Sequence, residues 1–161
     1  MRPEEIKPDT ELCTIIGYNA QTGKRRRYFN RILKESGLNA TAIALNIKDE
    51  HFDFTMKNLP ESKVTKMIIE PEFQAKALEY CDELDERSKV RGLVGFVEVV
   101  DGKIMGYNLD VAIDDLVDNP EFFDEDMILA IRMMLIANRW YGSKVDLDLI
   151  PLIIKKKEDV C

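Results

Sequence analysis

The sequence is poor in the residues from which most reactive sites are assembled. It contains one histidine, His51, so no multi-histidine metal centre can be built. Its three cysteines, Cys13, Cys81 and Cys161, are far apart and show no C-x-x-C spacing, which removes thiolate metal knuckles and dithiol redox pairs. Without a secretory leader, an odd thiol count reads as reduced cysteine. Eight glycines are present and no two are separated by a single residue, so G-x-G-x-x-G is absent, as is the phosphate loop G-x-x-x-x-G-K-[ST]. The usual nucleotide phosphate cradle is therefore missing, and no cofactor is expected. No apolar run approaches the roughly 18–20 residues of a membrane span. The first residues, Met1-Arg2-Pro3-Glu4-Glu5, are charged and carry no apolar signal region, so a cytoplasmic protein with no membrane partner is expected.

What is present is ordinary globular material. The chain has 161 residues, 45% of them hydrophobic and 33% charged, which suits one domain with a sizeable core. Lysine and arginine number 23 against 30 aspartates and glutamates, and the net charge of −7 argues against a nucleic-acid partner. Residues 1–10 read as an arm. Leu12–Gly17, Thr41–Ile47 and Val64–Ile69 read as strands. Residues 24–36 have helical spacing with Gly37 as a stop, and a short helix is expected over about residues 50–58. Phe73, Ala77, Leu78, Cys81, Leu84 and Val90 form a stripe that predicts one amphipathic helix over 72–90, closed by Gly92. Two apolar runs flank Asp101-Gly102, a strong hairpin signal. Three helices follow, near 111–118, 124–141 and 146–157. The order predicts an α/β fold on a mixed sheet: early strands parallel through helical crossovers, the hairpin antiparallel.

Gly92-Leu93-Val94-Gly95-Phe96, the hairpin, and Gly106-Tyr107-Asn108-Leu109-Asp110 together resemble a signature of the shikimate dehydrogenases, G-A-V-N-T, a hairpin, then G-Y-N-T-D. Ile16-Gly17, with Asn30 thirteen residues after Gly17, resembles the family's I-G-x-P-x-x-H-S-x-S-P-x-x-H-N. Asp82-Glu83-Leu84 ahead of Ser88 and Gly92 resembles its long helix. Met127–Arg132 through Trp140-Tyr141-Gly142 is similar to the C-terminal helix that, in the family, returns from the nucleotide-binding domain. Only sixteen residues, 111–126, separate Asp110 from that helix. The resemblance implies a three-layer mixed sheet like the family's substrate-binding domain, with added C-terminal helices and no Rossmann domain. On this reading one domain spans 1–161: an arm over 1–10, an α/β core over 11–110, a connector over 111–126 in place of the Rossmann domain, and C-terminal helices over 127–157 packing on the core.

The resemblance also shows what has changed. The two serines that hold the substrate carboxylate in the family fall on Gly23 and Arg25. The catalytic lysine falls on Phe73 or Gln74, and Lys76, one turn along, should point elsewhere. The substrate asparagine and two threonines fall on Gly95, Phe96 and Leu109, and a glutamine of the C-terminal helix on Arg132. Asn30, Asn108 and Asp110 remain. Asp110, the family's catalytic aspartate, has lost its lysine, so the acid/base pair is broken.

The candidate ligand-binding residues are Arg25, Asn30, Glu70, Asn108 and Arg132. Their charges, with Glu72 and Asp110, either pair with one another and fill the site, or leave Arg25 and Arg132 to grip a different small anion such as a carboxylate. The expectation is a stand-alone shikimate dehydrogenase-like binding or regulatory domain, inactive as a dehydrogenase. The alternatives are a half-enzyme completed in trans by a separate NADP-binding subunit, and other acid/base chemistry by Asp110, Glu70 or Glu72. Lys24-Arg25-Arg26-Arg27 reads as a solvated helix face and Lys155-Lys156-Lys157 as a helix C-cap. His51 reads as a surface or capping residue and Cys13 as a buried strand residue. Ile131, Met133, Met134, Leu135 and Ile136 make a helix apolar nearly all round, expected either as core or, with Trp140 and Tyr141, as a homodimer interface.

Overall fold

A computed structural model describes residues 6–109 and 123–155. Six strands form one mixed sheet in the order β2-β1-β3-β5-β6-β4. The strands are β1 (Glu11–Gly17), β2 (Ala40–Asn46), β3 (Lys66–Ile69), β4 (Glu83–Leu84), β5 (Phe96–Val100) and β6 (Lys103–Tyr107). β1 pairs in parallel with both β2 and β3, whereas β3–β5 and β5–β6 are antiparallel. The hairpin turns on Asp101 (φ 52°) and Gly102 (φ 76°), the left-handed pair that a two-residue turn of this kind requires.

Side chains alternate between the two faces of the sheet. Cys13, Ile15, Ile68 and Phe96 face a core shared with α1 (Lys24–Glu35), α5 (Glu125–Tyr141) and α6 (Ile150–Ile154). Ile16, Met67, Ile69 and Val97 face a second core closed by α2 (Asp49–Asn58) and α3 (Pro71–Gln74). The result is the expected three-layer α/β domain. Within α5, Ile131, Met133, Met134 and Ile136 are buried by the chain itself, and Trp140 packs edge-on to Phe96 at 5.5 Å. Cys13 is fully buried, and burial pushes its thiol up to about 12. His51 accepts the Lys48 backbone N–H at the start of α2, the capping role expected of it.

The single helix over 72–90 is not formed. α3 ends at Gln74, and after a 3-10 turn over Lys76–Tyr80 the chain becomes extended at Cys81. Asp82 then clasps Ile104 twice: its N–H donates to Ile104 O at 2.8 Å, and its Oδ2 accepts the Ile104 N–H at 2.7 Å. Glu83 and Leu84 pair with Met105 and Gly106 as β4. A Cβ on Gly106 would lie 2.7 Å from Cys81 Sγ and 2.9 Å from Leu84 Cδ2, so the glycine is what admits this close approach. Pairing along the exposed side of β6 overrides a helical stripe, and Asp85 caps a new helix, α4 (Glu86–Arg91), by accepting the Ser88 N–H at 2.8 Å.

The C-terminal elements are shorter than expected: a 3-10 turn over Leu147–Leu149 leads into α6, whose last carbonyls, at Ile153 and Lys155, accept from Arg31. Arg31 thus caps these carbonyls; of the lysines expected in that role, Lys156 and Lys157 lie outside the described residues, as does the helix expected over 111–118. Among the described residues no helix is long and apolar enough to cross a membrane, and no cluster of three metal-ligating side chains occurs.

Candidate functional site

β1 and β3 run parallel and end together at Gly17 and Ile69, where β5 begins and β6 ends. Crevices beyond the carboxyl ends of parallel strands are where open α/β sheets present ligand sites. A cavity of about 210 Å³ lies at this edge. Arg25 comes to it from α1, Pro71 and Gln74 from α3, and Gly95, Phe96, Asn108 and Leu109 from the hairpin strands and their extensions. Arg132, Met133 and Ile136 come from α5, with Arg132 and Ile136 sharing one helix face.

Three of the expected site residues therefore meet in one cavity: Arg25, Asn108 and Arg132. The positions at which the resemblance marks a replaced residue converge there too, namely Gly95, Phe96 and Leu109. Of the two candidates for the lysine position, Gln74 lines the cavity, while Phe73 is fully buried and stacks on Phe52 with ring centroids 4.6 Å apart. Lys76 points away and pairs with Asp49 at 3.2 Å. Asn30 stands elsewhere: its amide accepts the Ala42 N–H at 2.7 Å and donates to Ala42 O at 3.1 Å, on the outer edge of β2. Asp110 lies outside the described residues. The apolar wall of Pro71, Met133 and Ile136 was not anticipated, although the spacing of Ile136 from Arg132 was a usable sign.

Glu70 stands behind Arg25 rather than in the cavity lining. Its Oε2 accepts from Arg25 Nη1 at 3.0 Å, and both side chains are 13% exposed. Two glycines make room for it. A Cβ on Gly17 would fall 2.4 Å from Glu70 Cγ and 2.6 Å from its Cβ, and one on Gly23 would fall 3.2 Å from its Oε1. Gly23 is the N-cap of α1 and offers no side-chain cap, so the Glu70 carboxylate stands near the positive end of that helix dipole. Burial pushes the Glu70 carboxyl upward and Glu72 adds to it, with Arg25 opposing. Burial likewise pushes the Arg25 guanidinium down, with Glu70 opposing and Arg132 reinforcing the shift. Arginine stays charged throughout the working pH range of proteins. Among the described residues Arg25 makes one hydrogen bond, to Glu70, out of five available donors. Glu72 is turned away, accepting the Tyr18 N–H at 2.8 Å.

The floor of the cavity is braced from below. Glu98 accepts from Arg139 Nε at 2.7 Å and Trp140 Nε1 at 2.8 Å, tying the end of α5 to β5. The Arg139 guanidinium lies 4.3 Å from the centroid of Tyr107, which stacks on Phe96. Burial raises the Glu98 carboxyl, but the Arg139 and Trp140 hydrogen bonds outweigh it and hold the group below its ordinary value. A carboxylate depressed on folding stabilises the fold above its unfolded pKa and loses that contribution as pH falls through the folded value. Glu98→Gln is therefore expected to cost about 1–2 kcal/mol at pH 7, with the gap from wild type closing below about pH 4. Urea unfolding of both proteins at pH 7 and pH 3.5 checks this; a gap that stays constant with pH refutes it.

Fold and cavity together define a three-layer α/β domain with an arginine-bearing pocket at the carboxyl edge of its parallel strands. Over about 60–65% of its length, this chain is similar in sequence to shikimate dehydrogenases, and the match covers only part of those proteins. It is 26% identical over 105 residues to the NADP-dependent shikimate dehydrogenase of Methanococcus maripaludis, matching 65% of this chain and 38% of the relative. It is 30% identical over 97 residues to that of Oceanobacillus iheyensis, matching 60% of this chain and 35% of the relative. The chain thus spans less than two fifths of the length of these curated relatives. No family model matches it. Among solved structures, shikimate dehydrogenase from Aquifex aeolicus aligns at a TM-score of 0.63 and 21% identity, over 81% of this chain and 53% of that one. The Listeria monocytogenes enzyme, solved with shikimate and NAD, aligns at 0.64 and 17%, over 72% and 40%. At such identities the structural matches speak to the fold alone.

Proposed function

We propose that this domain binds a small carboxylate in the edge cavity and does not oxidise it. The observation that carries the reading is Arg25: a guanidinium largely withdrawn from water, lining a cavity, with one of its donors engaged by Glu70. A buried cation this sparsely paired is stabilised by an incoming anion, and the planar fork suits a carboxylate. The position where the relatives' lysine is expected holds Phe73 or Gln74, and neither side chain moves a proton near neutral pH. In this reading residues 111–126 connect the sheet domain to α5 where longer relatives carry a nucleotide-binding domain.

A thermal-shift panel of small carboxylates, cyclic polyols and phosphates tests it. A ligand binding only the native state stabilises it by about 2.7 kcal/mol at a hundredfold excess over Kd, and so raises the midpoint. Carboxylates are expected to stabilise wild type and to lose at least tenfold in affinity with Arg25→Ala. Silence across the panel refutes the reading. NADP-dependent oxidation of shikimate by the protein alone refutes its inactivity. Turnover appearing only with a separate nucleotide-binding subunit supports completion in trans instead.

A further inference from the structure

A second cavity, of about 310 Å³, opens at the opposite end of the sheet, where β1 and β2 begin side by side at Glu11 and Ala40. β1 is seven residues long, so roughly 20 Å of strand separates it from the Arg25 cavity. Asp9, Glu11, Leu38, Asn39, Trp140 and Tyr141 line it. The backbone that carries the two acids is pinned. Between them, the buried Thr10 hydroxyl donates to Asn39 Oδ1 at 2.8 Å and accepts the Lys7 N–H at 2.9 Å. The Glu11 N–H donates to Asn39 O at 3.0 Å. Alternation along β1 places Glu11 on the face of Cys13 and Ile15, the face that α5 covers. A carboxylate thus stands where the pattern calls for hydrocarbon. It lies close enough to Tyr141 that its charge adds to burial and Cys13 in raising the phenol.

Three sources of negative potential meet at this cavity: Asp9, Glu11 and the C-terminal end of α5, a 17-residue helix that stops at Tyr141. Little positive charge answers them. Among the described residues no lysine, arginine or histidine lines the cavity, and neither acid has a hydrogen-bond or ion-pair partner for its side chain. Arg139, the basic residue in the last turn of α5, is taken by Glu98. Lys66 stands outside the lining with its Nζ 5.0 Å from the centroid of Tyr141, so one of the two aromatic residues already holds a cation. We propose that this second cavity is a site for a small organic cation, an ammonium or guanidinium group on an apolar stem, with the head at Asp9 and Glu11 and the stem beside Leu38, Trp140 and Tyr141. A divalent metal ion fits less well, because such ions gather six or more oxygen ligands, and no cluster of three metal-ligating side chains occurs among the described residues. The proposal is independent of the carboxylate reading of the Arg25 cavity.

Trp140 is the only tryptophan of the sequence, and it lines this cavity and not the other, so its fluorescence serves as the readout. The full chain is titrated at pH 7 with phenethylammonium, with its neutral counterpart phenethyl alcohol, and with magnesium chloride at matched ionic strength. Phenethylammonium is expected to bind at least tenfold more tightly than the alcohol. The double variant Asp9→Asn, Glu11→Gln, which alters only exposed side chains, is expected to weaken it at least tenfold. Glu61→Gln with Glu83→Gln makes the same change of net charge at exposed positions outside the cavity lining and is expected to leave the affinity within about twofold, as is Arg25→Ala. Equal binding of the alcohol, or full affinity in the Asp9 and Glu11 double variant, overturns the proposal. An equal loss in the Glu61 and Glu83 control also overturns it, because the attraction would then belong to the overall charge. Displacement of phenethylammonium by micromolar magnesium would make the site a metal site and overturn the organic ligand, and so would a failure of phenethylammonium to bind.

Discussion

Gly17→Ala is expected to destabilise the protein by about 3 kcal/mol, at the upper end of the usual cost of overpacking. In a chain of this size that lowers the thermal midpoint by roughly 6–12 °C. The added methyl would sit 2.4 Å from Glu70 Cγ and 2.6 Å from Glu70 Cβ. The Cβ cannot swing aside, because it is fixed by a backbone that pairs Glu70 N with Ile16 O at 2.9 Å. Gly17 itself ends β1 and is buried, so the clash falls where the sheet, α3 and the Arg25–Glu70 pair join. The partner experiment is Glu70→Gly, which removes the two closest clashing atoms and leaves only the far end of the Glu72 side chain, whose Oε2 would lie at 2.9 Å. In the double variant the cost of Gly17→Ala should fall by at least about 1 kcal/mol, a coupling that separated sites do not show. Urea denaturation of the four proteins in the cycle measures it. Strict additivity would mean that the glycine is needed for some other reason.

Phe73→Ala is expected to cost about 3–5 kcal/mol, the range for emptying a buried aromatic position. Phe73 has no exposed surface; it stacks on Phe52 and meets Tyr18 edge-on at 5.0 Å. Its neighbour Gln74 gives the contrast. Gln74→Ala removes one hydrogen bond to Ile69 O beside a cavity that can admit water, and about 1 kcal/mol is expected. The pair of substitutions separates two roles that adjacent residues hold at the start of α3. Phe73→Ala should lower the chemical-denaturation midpoint steeply, whereas Gln74→Ala should leave it nearly in place and act on ligand affinity. Comparable losses of stability in the two variants would place Gln74 in the core instead.

The contrast also shows where the sequence was legible. Alternation and punctuation revealed β1, α1, β2 and the hairpin, because each is specified within a few residues: Gly37 and Gly92 adopt the left-handed conformation expected after a helix end. Residues 72–90 misled because the force that decides them is not local. Asp82 finds its partner at Ile104, twenty-two residues on, and no helical periodicity encodes that pairing. The same limit applied at the site. Arg25 and Glu70 were recognisable as charges, but their pairing across forty-five residues depends on two glycines whose purpose appears only when the backbone is in place. Asn30 had the right residue type in the right motif for a ligand contact, yet the register of β2 beneath α1 takes up its amide.

That engagement of Asn30 bears on how the molecule behaves in a crowd. β2 is a terminal strand of the sheet, seven residues long and without charge, and Ile43 and Leu45 are 37% and 40% exposed on it. An open edge of that composition invites a strand from another chain to add to it. The carboxamide of Asn30 holds both outward-facing groups of Ala42 at the middle of the edge, so a recruiting strand meets an occupied rung where it would need a vacant one. Gln21 meets the end of the same strand by donating its backbone N–H to Asn46 Oδ1 at 2.9 Å. One side chain borrowed from α1 thus acts as a stopper against polymerisation, keeping an otherwise adhesive border closed to its neighbours.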